Sequence, residues 1–394
     1  MHIVYFGIVS RLEDIGKIGE TSIAGNKMQY NLLKNLSQKE DVSIDVVSFH
    51  PYKPFRKSKK LFVKATKEKL FDNVDMYQVG YVNIPLIKQL IISRNTKKTA
   101  KKLLNGQQDV LMIFDMYPTQ SNAFTKLSKK VKGRAVCLLA DLSIGGVVKT
   151  KGIKKLLRKM YDKQTLANLS KCNYFIALNE NAMKTYAPHS KYLIVDGGIE
   201  PSEYQDINRC WAGKIKNVVY TGALVDYSGI KNLISAIDLL NNKEIVLDIY
   251  GDGILKEEII EIAKNNKRIR YLGKVSNQEC VEIQQSAWLL ANPRPTENDI
   301  AKVTFPSKIF EYLMSGRPVM STRLNGFSKD YENLLFWTDD CSVEGLAEKI
   351  NQIDKLDNEH LTLMATEARQ YLLKNKTWDI NANNINEFLK RSFK

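Results

Sequence analysis

Short apolar runs recur along this chain, and most are followed by a stretch with helical character. In the first half they are His2–Val9, Ile44–Phe49, Asp109–Asp115, Arg134–Asp141, Tyr174–Leu178 and Tyr192–Val195, with a shorter run at Val79–Val82. In the second half they are Val218–Gly222, Ile245–Tyr250, Ile269–Gly273, Trp288–Arg294, Val319–Ser321 and Leu334–Trp337. Continuous Val/Ile/Leu runs suit strands buried on both faces, which is the condition of a parallel sheet covered by helices. Strand and helix in alternation therefore call for an α/β fold. At 394 residues the chain exceeds one ordinary core. Two consecutive Rossmann-like domains are expected: 1–205, then 206–378, with a last helix over 379–394. The polar run from Asp196 to about Ile215 is the linker, and the second domain closes with helices at 343–353 and 358–375.

The charge is unevenly divided. The chain carries a formal +16, yet residues 1–205 hold 34 Lys+Arg against 17 Asp+Glu. The rest is close to neutral. Either a generally basic soluble surface or an anionic partner, phospholipid or nucleic acid, accounts for this. Residues 53–69 are lysine-rich and read as a solvated loop or helix face. Residues 84–104 and Lys149–Lys163 read as basic helices, and the former carries an apolar face of the kind that lies on a membrane surface. No aromatic-interleaved basic motif or nucleic-acid module is present. Five scattered cysteines without a CxxC pair suit a reduced compartment and no structural zinc site. Met1-His2 runs straight into a strand, so no signal peptide is expected. No stretch approaches the ~20 apolar residues of a membrane span.

Thr304-Phe-Pro-Ser-Lys-Ile-Phe-Glu-Tyr-Leu-Met-Ser-Gly-Arg-Pro-Val-Met320 reads as a tight loop, a three-turn helix and a strand. Pro306 suits the first helical turn, Thr304 or Phe305 the cap, and Gly316 the stop. Lys308 is the unusual residue, because a cation in the first turn opposes the helix dipole. An anion held there would explain it. Glu311 shares its face. A phosphate-binding cation beside a hydroxyl-binding carboxylate is what a nucleotide sugar needs; an ordinary surface helix with one Lys–Glu pair has the same spacing. In the first half, Asp141 follows a strand at the sheet end where ligands gather and is followed by Leu-Ser-Ile-Gly145-Gly146, which makes it the catalytic candidate there, or a loop-capping aspartate. Gly16, Gly19 and Gly25 do not form GxGxxG, so a dinucleotide fingerprint is absent.

Tyr220-Thr-Gly222, Tyr250-Gly-Asp-Gly253, Tyr271-Leu-Gly273, Asn292-Pro-Arg294 and above all Phe305-Pro-Ser-Lys-Ile-Phe-Glu-Tyr-Leu-Met-Ser-Gly-Arg-Pro-Val319 make the second half resemble the donor domain of retaining glycosyltransferases of the GT-B fold, family 4. The likeness is specific over 218–321 and reaches the first half only in outline. It implies two Rossmann-like domains facing across a cleft, with the helix after Thr377-Trp378-Asp379 crossing back onto the first. It implies that Glu311 accepts hydrogen bonds from ribose hydroxyls. Lys308, Arg294 and the loop Thr304-Phe305-Pro306-Ser307 would hold the diphosphate, over a backbone left open by Gly222. Tyr250-Gly251 and Gly273-Lys274-Val275 would flank the base.

The sequence departs from that family at four places. Val303 stands where a second glutamate is usual, and Ala223 and Ser228 where the phosphate loop has Arg and Lys. Ala140 replaces the histidine of a His-Asp pair. The FPSK-type loop matches branches that build bacterial surface polysaccharides. The resemblance thus implies a metal-independent, retaining hexosyltransferase with catalytic residues Asp141, Lys308 and Glu311, no cofactor and a UDP-sugar donor. Its acceptor would be a glycan or lipid-linked glycan, with no nucleic acid as partner. It would be cytoplasmic, peripheral on the inner face of an anionic membrane. A protein O-glycosylating transferase of the same fold, acting on adhesins, and a sugar-nucleotide epimerase are the alternatives.

Overall fold

The computed structural model describes residues 1–14, 22–85, 87–116, 118–140, 152–204, 211, 215–296 and 305–394. The chain divides into two units, Met1–Gly198 with Trp378–Lys394, and Ile199–Thr377. The sequence expectation sets the first division at 205/206 and the returning helix at 379.

The first unit runs β1 (His2–Phe6), α1 (Ile23–Ser37), β2 (Ser43–Ser48), α2 (Phe55–Ser58), β3 (Phe62–Val63), β4 (Thr66–Phe71), β5 (Val74–Gln78), β6 (Tyr81–Val82), α3 (Ile87–Leu103), β7 (Val110–Phe114), α4 (Pro118–Ser128), β8 (Ala135–Leu139), α5 (Ile153–Leu169), β9 (Tyr174–Ala177), α6 (Glu180–Tyr186) and β10 (Lys191–Ile194). Its main sheet has the order β10-β9-β8-β7-β1-β2-β5-β4, parallel except for the edge strand β4. The second unit runs β11 (Asn217–Thr221), α7 (Ile230–Leu239), β12 (Val246–Tyr250), α8 (Lys256–Asn265), β13 (Ile269–Gly273), α9 (Asn277–Ser286), β14 (Leu289–Asn292), α10 (Lys308–Met314), β15 (Val319–Thr322), β16 (Phe336–Thr338), α11 (Val343–Asp354) and α12 (Asn358–Asn375). Its six strands are all parallel, in the order β13-β12-β11-β14-β15-β16. Counted from β11 this is the 3-2-1-4-5-6 order of a doubly wound nucleotide-binding sheet, whose topology reverses between its first and fourth strands.

Residues 53–69 differ from expectation. They form α2, β3 and most of β4, and β3 pairs with β6, the part of Val79–Val82 that is a strand. Lys67 and Lys69, two apart, point to one side of β4 and both pair with Asp75 at 2.8 Å. Leu70 points inward and is buried. Charge on an edge strand opposes pairing with another chain, so the lysines that suggested a loop suit a strand equally well.

The last helix, α13 (Trp378–Ser392), belongs to the first unit. Trp378, Ala382, Ile385 and Leu389 enter its core. Gly198 makes room: a Cβ there would stand 2.6 Å from the Trp378 indole.

Candidate functional site

The carboxyl ends of β11, β12 and β13 carry Gly222, Gly251 and Gly273, all at positive φ. Gly222 N–H donates to Tyr250 O and Gly251 N–H to Gly273 O, each at 2.9 Å. A Cβ on Gly251 would meet Gly222 O at 1.8 Å, and one on Gly229 would meet Pro293 O at 1.6 Å. Backbone therefore packs directly on backbone at Gly251 and Gly229, and a side chain at either position would break that contact.

Strands β11 and β14 pair only at Val218–Leu289 and Val219–Leu290, and beyond them the ladder ends. The Thr221 N–H freed by that divergence donates to the Tyr312 hydroxyl at 3.0 Å. Gln284 donates to Thr221 Oγ1 at 3.1 Å, and to Cys280 Sγ at 3.2 Å. Tyr312 thereby ties α10 to the end of β11 at the switch point. The helix is shorter than expected. It spans Lys308–Met314, its N-cap is Ser307 without a side-chain hydrogen bond, and Pro306 lies ahead of it. Phe305 is the reason. It is buried against Phe310, Phe327 and Tyr331 at centroid distances of 5.3, 5.1 and 5.6 Å, and so is committed to packing rather than capping. Gly316, at φ 68°, follows the helix as expected.

Lys308 extends from the first turn of α10 over the end of β11. Its Nζ is 4.5 Å from the Tyr220 ring centroid and 5.9 Å from that of Tyr312. A Cβ on Gly222 would stand 1.9 Å from that Nζ. Burial works against the ammonium, but Tyr220, Tyr312, Glu311 and Cys280 outweigh it and raise its pKa above the ordinary lysine value. It is therefore cationic at neutral pH. Glu311 is half-buried one turn on. Among the described residues the Lys308 ammonium and the Glu311 carboxylate have no ion-pair or hydrogen-bond partner, in each other or elsewhere.

Of the remaining expected residues, Tyr250 is half-buried, and burial, then Asp248, raises its phenol's pKa. Lys274 is exposed and Val275 half-buried, just past Gly273. Arg294 follows β14 across the switch point, and its carbonyl accepts from Thr322 Oγ1 at 2.5 Å. Ser307 is exposed and Pro306 buried. Asp141, Thr304 and Val303 lie outside the described residues.

Several residues here were given no role in the sequence reading. Tyr220, Thr221, Cys280, Gln284 and Tyr312 build the floor under Lys308. Tyr204, in the stretch taken for linker, is 9% exposed. Burial pushes its phenol well above the usual range, and the nearby Glu311, Glu203 and Cys280 add to this. No spacing in Ile199-Glu-Pro-Ser-Glu-Tyr204 announces it. In the first unit a cavity of about 250 Å³ opens at the corresponding switch point, between the ends of β1 and β7. Ser22, Gly25, Asn26 and Gln29 of the α1 entry line it, with Asp115, Thr119 and Gln120. Asp115 is buried at φ 50° and accepts the Ala140 N–H at 2.9 Å.

Residues 215–355 match the model of the family described as Glycosyl transferases group 1. The matched stretch lies within the second unit. The whole chain has the GT-B fold, two Rossmann-like domains, of sucrose-phosphate synthase from Thermosynechococcus elongatus, with a TM-score of 0.71, 11% identity and coverage of 100% of this chain and 99% of that one. Anabaena HepE in complex with UDP and glucose matches at TM-score 0.62 and 15% identity, over 99% of this chain and 100% of that one. WaaG, a glycosyltransferase involved in lipopolysaccharide biosynthesis, matches at TM-score 0.64 and 12% identity, over 98% and 99%. No curated protein matches the chain in sequence.

Proposed function

We propose that this chain is a retaining, metal-independent hexosyltransferase that moves a sugar from a UDP-sugar to a glycan or lipid-linked glycan acceptor, in cell-surface polysaccharide synthesis at an anionic membrane. The observation that carries the reading is the placement of Lys308: a half-buried cation over Gly222 at the switch point, with no ion-pair or hydrogen-bond partner among the described residues. Taking a charge partly out of water is costly unless something neutralises it. A diphosphate bound over Gly222 would do so. Glu311, one turn away and likewise unpartnered, would take the ribose hydroxyls, and Arg294 would be a second phosphate ligand. Tyr250-Gly251 and Lys274-Val275 would border the base.

In this reading the bond from the anomeric carbon to the diphosphate oxygen breaks as the acceptor oxygen forms its bond on the same face. The acceptor's proton passes to the departing phosphate oxygen. Lys308, held ready before the charge develops, stabilises the leaving diphosphate. Asp141 would orient the acceptor. The first-unit cavity suits a polyhydroxylated acceptor, since it offers the Asp115 carboxylate and the Asn26, Gln29 and Gln120 amides as hydrogen-bonding groups on apolar walls.

A thermal-shift panel of UDP-, GDP- and dTDP-sugars tests the site, with Lys308→Ala and Glu311→Ala as controls. UDP-sugars should stabilise the wild type and neither variant. Absence of stabilisation by any nucleotide, or equal response of the variants, would remove the assignment.

A further inference from the structure

Helix α5 is built inside out. Its body-facing side carries polar residues: Thr165 and Asn168 are buried, and Asn168 Nδ2 donates to Ser121 Oγ of α4 at 2.7 Å. Leu169 in its last turn is buried as well, but the apolar residues of its earlier turns point away from the protein. Leu156, Leu157 and Met160 are 60%, 55% and 61% exposed. Lys155, Lys159 and Lys163 recur every fourth residue and form an exposed row beside them. Arg158, on the body side, is occupied by Asp162 at 3.0 Å. An ordinary domain helix buries its apolar stripe and shows its polar one; this one does the reverse over its first two turns.

The start of α3 repeats the pattern. Ile87 and Leu90 are exposed, the latter by 73%, and Arg94, Lys97, Lys98 and Lys101 continue the same outward side. Ile92, Thr96 and Ala100 face inward. Helix α3 packs on α4, and α4 on α5. Each of the three leads into a strand parallel to its neighbours, so all start at the carboxyl end of the sheet. The exposed apolar residues of α3 and α5 therefore lie at one end of one helical layer.

We propose that the first turns of α5, with those of α3, dock the protein on an anionic lipid bilayer, Leu156, Leu157 and Met160 entering the headgroup boundary while the lysine row meets lipid phosphates. This deepens the membrane clause of the proposed function by assigning its surface. The chemistry selects the occupant. A second copy would bring like rows of lysines together. A nucleic acid would use the lysines but leave the apolar side chains in water. A bilayer with anionic headgroups takes both.

The test is flotation of the full-length protein with vesicles of phosphatidylcholine and phosphatidylglycerol, against pure phosphatidylcholine. Wild type should partition onto the anionic vesicles at moderate salt and retain part of that binding at high salt. L156S/L157S/M160S should lose the salt-resistant part, and K155E/K159E/K163E should weaken binding overall by about a hundredfold or more. These side chains are exposed, and unchanged circular dichroism would confirm folding. Wild type that fails to float, or variants that float as it does, overturns the proposal. So does tight binding of duplex DNA with indifference to the serine substitutions, or a dimer that those substitutions dissociate. Nucleotide stabilisation in the panel above is read separately, so a failed donor site and a failed membrane surface give different results.

Discussion

The ammonium of Lys308 occupies the space that a side chain on Gly222 would need. A Cβ at position 222 would lie 1.9 Å from Nζ and 3.4 Å from the Tyr220 hydroxyl. The glycine also holds φ 148°, which L side chains rarely adopt. Gly222→Ala should therefore cost about 1–3 kcal/mol of stability through backbone strain and should displace Lys308. Urea unfolding would read the first effect and UDP titration the second. Gly106→Ala, at a site with nothing within 4 Å, is the control that should change neither.

Charge at Lys308 should persist across the neutral and alkaline range. Its pKa is raised in the folded protein, the usual sense for a cation that has gained favourable surroundings. Whatever stability its charge contributes is then fully present below the unfolded lysine pKa and is lost only as pH rises through the higher folded value. UDP affinity should accordingly show no step attributable to Lys308 between neutral pH and that value. A step near neutrality that disappears in Lys308→Met would contradict the environment described.

Glu311 should discriminate ribose from deoxyribose. If its carboxylate takes the ribose hydroxyls, UDP should bind more tightly than 2′-deoxy-UDP, by about tenfold for one charge-assisted hydrogen bond. Glu311→Gln should narrow that ratio and Glu311→Ala should abolish it. An unchanged ratio would separate Glu311 from the ribose.

Tyr312→Phe removes the acceptor of the Thr221 N–H and leaves a buried donor unmet. A loss of about 1–3 kcal/mol is expected, with weaker donor binding because α10 is no longer tied to β11. Thermal melts with and without UDP would separate the two effects.

Trp378→Ala should destabilise the first unit rather than the second, although residue 378 follows the second unit in sequence. The indole fills the space left by Gly198 and enters the first unit's core. About 3–5 kcal/mol is the usual cost of such a truncation. Hydrogen exchange should show the loss in β1, β2 and α1 and not in β11–β14.

The strands were legible because a parallel sheet buries both faces and leaves a continuous apolar run, as in Val110–Phe114 and Leu289–Asn292. The β4–β5 hairpin was not, since an edge strand with Lys67 and Lys69 reads as solvated chain. Lys308 and Glu311 stood out because a cation in a first turn goes against the dipole. The residues that surround Lys308 and Glu311 did not, because they come from separate elements: Tyr220 from β11, Cys280 and Gln284 from α9, Tyr312 from α10, and, near Glu311, Tyr204 from the chain ahead of β11. Their convergence is a property of strand order, which no local pattern encodes. The expected cap failed for a similar reason, as the burial of Phe305 against Phe327 and Tyr331 fixes where α10 begins.

Calorimetric titration of UDP into the wild type and into Lys308→Met tests the central claim most directly, because the methionine keeps the stem and removes only the charge. One site is predicted in the wild type, with affinity about a hundredfold lower in the variant, the scale of a lost charge-assisted contact of about 2–3 kcal/mol. Equal affinity in the two proteins, or no binding heat in the wild type under conditions where the fold is intact, would contradict it.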